Sequence, residues 1–266
     1  LDTLRQDFPK NPEIAVKAAN AAYNIATFAG HAGDWDRVDA MRDRLDALRQ
    51  DFPDNPEIAV FDARATVNIV VYAGQTGDWA QVDAMLDRLD TLRQDFLKNP
   101  EIAVKTAQTA FSIVASAGDA GDWTRVEALL DRLDALRQDF PDNVEIAVEA
   151  AKVAVNMMAD ALRIGDWLMV DTTLDRLDAL RQAFPDNAEI AVAEAKTAYN
   201  IALIAGDAGD WAQVEAMRDR LDGLRERYGP DLVIHEDAQR RITLEDAYNH
   251  AAHLHERQGV KRSPTP

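Results

Sequence analysis

The sequence has no cysteine in its 266 residues. That absence excludes a disulfide framework, thiolate catalysis and cysteine-held zinc or iron–sulfur centres. Basic residues are few beside acidic ones, 29 against 47, for a formal net charge of −18. Such a chain as a whole repels a phosphate backbone, so no nucleic-acid partner is expected. No apolar run approaches the roughly 20 residues of a membrane span, and Leu1 does not open a signal peptide. No membrane partner is therefore expected, and a cytoplasmic location is. Glycine and proline are sparse, at 12 and 10, while 47% of residues are hydrophobic. The composition is that of an acidic helical protein with a core.

What is present is repetition. Leu-Asp-x-Leu-Arg begins at Leu1, Leu45, Leu89, Leu133, Leu177 and Leu221, a constant period of 44 residues. Gly-Asp-Trp recurs in the same register at Gly33, Gly77, Gly121, Gly165 and Gly209, and Glu-Ile-Ala-Val at Glu13, Glu57, Glu101, Glu145 and Glu189. A fixed period with no insertion is the mark of a repeat architecture.

Each unit reads as two helices. Asn11-Pro12-Glu13 opens the first, with Asn at the N-cap, Pro at the first helical position and Glu at the positive end of the dipole. Ile14, Ala15, Ala19, Ala22, Ile25, Ala26 and Ala29 then form a helical stripe of mostly small residues, which lets a neighbouring helix come close. Gly33 ends the helix and Asp34 caps the next. The second helix carries Trp35, Val38, Met41, Leu45, Leu48 and Phe52 on one face. Its Asp, Arg and Gln side is expected to be a solvated face with weak intrahelical pairs. One such pair cannot bury its apolar face alone. Stacking the pairs, antiparallel because their links are short, makes an all-α solenoid of five units.

Asn24-Ile25-Ala26, Ala29, Gly33-Asp34-Trp35, Val38 and Leu45 resemble the signature of the tetratricopeptide repeat. The period is longer than the common 34 of that family, and the long helices are similar to the repeats of kinesin light chains. HEAT-type and other helical-pair solenoids share such a period. The resemblance covers residues 1 to about 228. Met157-Met158 and Leu162 in the fourth unit depart from the pattern. The resemblance implies a right-handed superhelix whose first helices line a concave groove that binds a peptide or protein segment. Carried onto this chain, the groove positions are Asn20, Arg64, Gln108, Lys152 and Lys196. One turn later come Asn24, Asn68, Ser112, Asn156 and Asn200.

The residues themselves point the same way. Asn is a poor interior helix residue, yet four of five units place one beside the apolar stripe. A carboxamide can donate to and accept from a peptide backbone. A structural ladder between repeats would also explain the recurrence. The neighbouring first-helix positions vary between units, as in Tyr23, Val67, Phe111, Val155 and Tyr199, while the second-helix core barely changes. Lys17, Arg64, Lys105, Lys152 and Lys196 set positive charge along the groove of an acidic chain, which suits an acidic ligand segment.

Leu1 starts inside a second helix without its Gly-Asp-Trp opening, so the chain is expected to be part of a longer array. Beyond Tyr228-Gly229-Pro230 the repeat decays. Thr243 is expected to cap a helix from Leu244 to about Gln258 inside a degenerate capping segment, 229–260, followed by a flexible tail, 261–266. Asp246, His250 and His253 share a helix face, with His255 beside them, but a polar exposed cap explains these residues without a metal. The repeats hold one histidine, His31, no phosphate-binding Gly-rich loop and no Gly-x-Ser-x-Gly. No catalysis and no cofactor are expected. The expected role is a protein-interaction scaffold, with homo-oligomers conceivable through the array ends. A regulatory array of a larger multidomain protein, or a spacer, is the alternative.

Overall fold

The computed structural model describes residues 2–236 and 241–261, and among these the chain is all-α apart from one short hairpin. A short helix α1 (Asp2–Asp7) comes first. Three helix pairs follow: α2 (Pro12–Ala32) with α3 (Trp35–Asp51), α4 (Pro56–Thr76) with α5 (Trp79–Asp95), and α6 (Pro100–Asp119) with α7 (Trp123–Asp139). Two more pairs are α8 (Val144–Ile164) with α9 (Trp167–Ala183) and α10 (Ala188–Ala208) with α11 (Trp211–Tyr228). Strands β1 (Val233–Glu236) and β2 (Arg241–Thr243) and helix α12 (Leu244–Lys261) complete the described chain. Two compact units divide between Ile146 and Ala147.

The caps form as the motifs predict. Asn11 Oδ1 accepts from the backbone N–H groups of Glu13 at 2.9 Å and Ile14 at 3.2 Å, and Asn55 and Asn99 repeat this arrangement. Gly33 takes the left-handed conformation at φ 73°. Its N–H donates to Gly30 O while that of Asp34 donates to Ala29 O, so the helix closes with two of its last carbonyls satisfied. The side chain of Asp34 then accepts from Arg37 N–H and starts α3. Removing such a cap leaves orphan donors at the helix start. Asn55→Ala is therefore expected to cost about 1 kcal/mol, read as a lower urea midpoint at unchanged slope.

The two kinds of helix pack differently. In the first unit α2 packs directly on α4 and α4 on α6, whereas α3, α5 and α7 make no comparable backbone approach to one another. Side-chain size explains the difference. Ala15, Ala18, Ala19, Ala22 and Ala26 of α2 are buried in one cluster with Ile58 and Ala65 of α4. In the second unit Ala147, Ala151 and Ala154 of α8 cluster with Ile190 and Ala193 of α10. The second helices fill the space behind with larger residues such as Leu45, Leu48, Leu89 and Leu92.

The charged face of the second helices differs from its sequence expectation. Long side chains bridge the gap between neighbouring units instead of pairing only within a helix. Arg5 meets Asp51 at 2.8 Å, Arg49 meets Asp95 at 2.6 Å, and Arg93 meets Asp139 at 2.7 Å, each across 46 residues. Intrahelical pairs such as Arg42–Asp39 and Arg218–Glu215 stand beside this ladder.

The C-terminal segment holds an antiparallel hairpin, β1 with β2, that the sequence reading did not anticipate. Its Ile234 and Ile242 are buried with Ile201, Ala202 and Leu221 of the last repeat and with Leu244, Ala247 and Ala251 of α12. Helix α12 opens at Thr243 as expected. Thr243 Oγ1 accepts from Asp246 N–H, and the Asp246 carboxylate takes the Thr243 N–H and hydroxyl, both at 2.9 Å. This reciprocal cap stops the chain from fraying at that point. The helix runs to Lys261, and 262–266 of the expected tail lie outside the described residues.

Candidate binding face

Every groove position named from the sequence lies on a first helix, α2, α4, α6, α8 or α10. In the first unit most of these side chains are already engaged. Asn24 Nδ2 donates to Asn20 Oδ1 at 3.0 Å along α2. Asn68 Nδ2 donates across the α2–α4 junction to Thr27 Oγ1 at 2.8 Å, and that hydroxyl donates in turn to Tyr23 O. Gln108 Oε1 accepts from Lys105 Nζ at 2.8 Å, and Ser112 Oγ donates to Gln108 O at 2.9 Å. Rings fill the same face, with Tyr23 6.1 Å from Phe61 and His31 5.9 Å from Tyr72 between centroids.

The basic stripe is also less free than its sequence suggests. Arg64 donates through Nε and Nη2 to Glu101 Oε1, at 3.1 and 2.5 Å. Lys152 Nζ donates to Glu149 Oε1 at 3.0 Å and stands 3.8 Å from Glu189 Oε2. Both charges are thus balanced within the chain. Asn156, Lys196 and Asn200, half-buried on α8 and α10, have no hydrogen-bond or ion-pair partner among the described residues.

Lys196 and Asn200 border a cleft of about 280 Å³ in the second unit. Val155 of α8 and Leu203 of α10 form one apolar wall, Ile234 and Ile242 of the hairpin form the other, and Lys196 and Asn200 reach into it with Tyr199 and His235. The hydroxyl of Tyr199 lies 2.9 Å from His250 Nδ1 of α12, which fixes the floor. The arrangement offers an ammonium and a carboxamide, one helical turn apart, next to apolar surface. The sequence could name Lys196 and Asn200 but not the hairpin opposite them.

Sequence reasoning missed a second feature, where first helices meet second helices. Asp62 of α4 is only 1% exposed. Arg88 of α5 grips it with Nε and Nη2, both at 2.9 Å, and Arg49 of α3 comes to 3.4 Å. Arg88 also reaches Asp46 at 2.6 Å. Burial pushes the Asp62 carboxyl above its ordinary range, against the pull of both arginines. Burial acts on Arg88 in the opposite sense, but Asp62 and Asp46 outweigh it and hold the guanidinium charged. Glu194 occupies the same place in the last repeat. It stands 2.9 Å from Arg181 and 3.3 Å from Arg220, which is also held by Asp178. Its carboxyl too is raised by burial. The signal was there to read: an acid stands in an alanine-rich stripe in two units, where Ala18, Thr106 and Ala150 stand in the others.

A cleft of about 590 Å³ opens over the Glu194 network, beside Gly223 and Arg227. Its arginines are already matched by carboxylates, with Arg227 on Asp186 at 2.7 Å. Asp246, His250 and His253 are drawn into the cap, the Tyr199 contact and a bond with Asn249 O respectively. The side chain of His255 lies outside the described residues. Among the described residues no group of three or more His, Asp or Glu is placed to hold a metal, and no helix is long and apolar enough to cross a membrane.

These features define a helical repeat array, with helix pairs packed on their neighbours within each of the two units. No family model matches the chain, and no curated protein matches it significantly.

Proposed function

We propose that the chain is a protein-interaction scaffold of the tetratricopeptide type, which binds a peptide or protein segment along its first helices. One observation carries the reading: Lys196 and Asn200 line a cleft with apolar walls, and they and Asn156 have no hydrogen-bond or ion-pair partner among the described residues. The polar atoms of these side chains stay open to solvent, and so to a ligand. No step of this role requires catalysis or a cofactor. Self-association through the C-terminal end has less support, because the hairpin and α12 cover α10 and α11 there. The same scaffold fits the regulatory part of a larger protein.

A spacer without a groove ligand is the second reading, and the Asn68–Thr27 bond favours it in the first unit. A displayed library of random dodecapeptides, selected on the chain, separates the two. Selected peptides are expected to lose at least about tenfold in affinity when Asn156 and Asn200 become Ala and Lys196 becomes Glu. Asn68→Ala serves as the control for a structural amide. Peptides that bind the variant and the wild type alike would remove the groove reading.

A further inference from the structure

The ion pairs that recur between successive first helices leave one member without its counterpart. Arg64, Lys152 and Lys196 occupy the same place in their units. Arg64 is held by Glu101, 37 residues further on, at the start of the next first helix. Lys152 faces Glu189 at the same interval. From Lys196 that interval leads to Val233 in β1, because the repeat has given way to the hairpin. Lys196 thus keeps the donor of the bridge and loses the acceptor. Its cleft is lined by apolar side chains and by Tyr199, Asn200 and His235, with no carboxylate among them. An ammonium thus stands at an apolar cleft with no acidic partner among the described residues, in a chain with net charge −18.

We propose that this cleft receives an acidic side chain of an extended peptide segment from a partner protein. The incoming carboxylate sits on Lys196 as Glu101 sits on Arg64, forming a charge-assisted hydrogen bond that no described residue supplies. An apolar neighbour in the peptide packs against Val155, Leu203 and Ile234. Asn200, one turn from Lys196, donates to and accepts from the peptide backbone. The inference rests on the groove reading above and adds to it the position and chemistry of one recognition point.

The same dodecapeptide library tests it on two proteins, the wild type and Lys196→Gln. Lys196 has no partner among the described residues, so the substitution is expected to leave the thermal melt unchanged. Peptides selected on the wild type should share an Asp or Glu at a fixed distance from an apolar residue. Changing that acid to its amide should weaken binding about tenfold on the wild type and hardly at all on Lys196→Gln. Selected peptides without a shared acid, or an acid preference that survives in Lys196→Gln, would overturn this proposal while leaving the scaffold intact. If neither protein enriches any peptide, the groove reading falls and this inference falls with it.

Discussion

Asp62→Ala is expected to lower the stability of the first unit by about 3 kcal/mol, at the lower end of what breaking a buried ion pair costs. Asp62 draws two guanidiniums into the junction of α3, α4 and α5, where Arg88 is only 15% exposed. Without the carboxylate those charges stay buried and lose their shared acceptor. The effect is not larger because Arg88 retains Asp46 and Arg49 retains Asp95, each at 2.6 Å. Urea unfolding followed by circular dichroism gives the magnitude, and hydrogen exchange across α3–α5 gives the location. A second change shows the mechanism. Arg88→Met in the Asp62→Ala background removes one stranded charge and should restore part of the loss, since well-packed apolar groups replace buried ion pairs at little cost. A loss below about 1 kcal/mol in Asp62→Ala would mean that Asp46 and Asp95 suffice by themselves.

Leu89→Ala is expected to cost about 2–5 kcal/mol, the range for truncating a fully buried leucine. Leu89 is fully buried and clusters with Leu92 of its own helix, Ala59 and Ala63 of α4, and Ile102 of α6. It therefore joins one helix pair to the next, and the cavity opens at the coupling that holds the stack together. In an array stabilised by nearest-neighbour interfaces, weakening one junction reduces cooperativity as well as stability. The urea transition should broaden, and amides of α4 and α5 should exchange earlier than those of α2. Leu97→Ala is the matched control, because that leucine is 64% exposed and its truncation should stay within about 0.5 kcal/mol. A sharp transition with an unchanged midpoint in Leu89→Ala would contradict the packing described here.

Much of the fold was legible because each signal is local. Asn11-Pro12-Glu13 starts a helix and Gly33-Asp34 stops one and caps the next, whatever surrounds them. The hairpin was not legible. Its strands are four and three residues long, too short for an alternating pattern to stand out. The residues named for a groove lie on the first helices, but the bonds they make were not foreseen. Asn68 is spent on Thr27 and Arg64 on Glu101, and neither partner is a sequence neighbour.

The sequence alone therefore determined the period, the helix pairs, their caps and the small-residue stripe that brings the first helices together, because these depend on spacing within one repeat. Only the tertiary structure decided which charges are consumed. Every unit offers nearly the same arginines and aspartates, so the pairing across 26, 37, 42 or 46 residues follows from how neighbouring units lean on each other. At the last repeat that neighbour is a hairpin without a glutamate at the matching place, and Lys196 is left facing an open cleft for this reason.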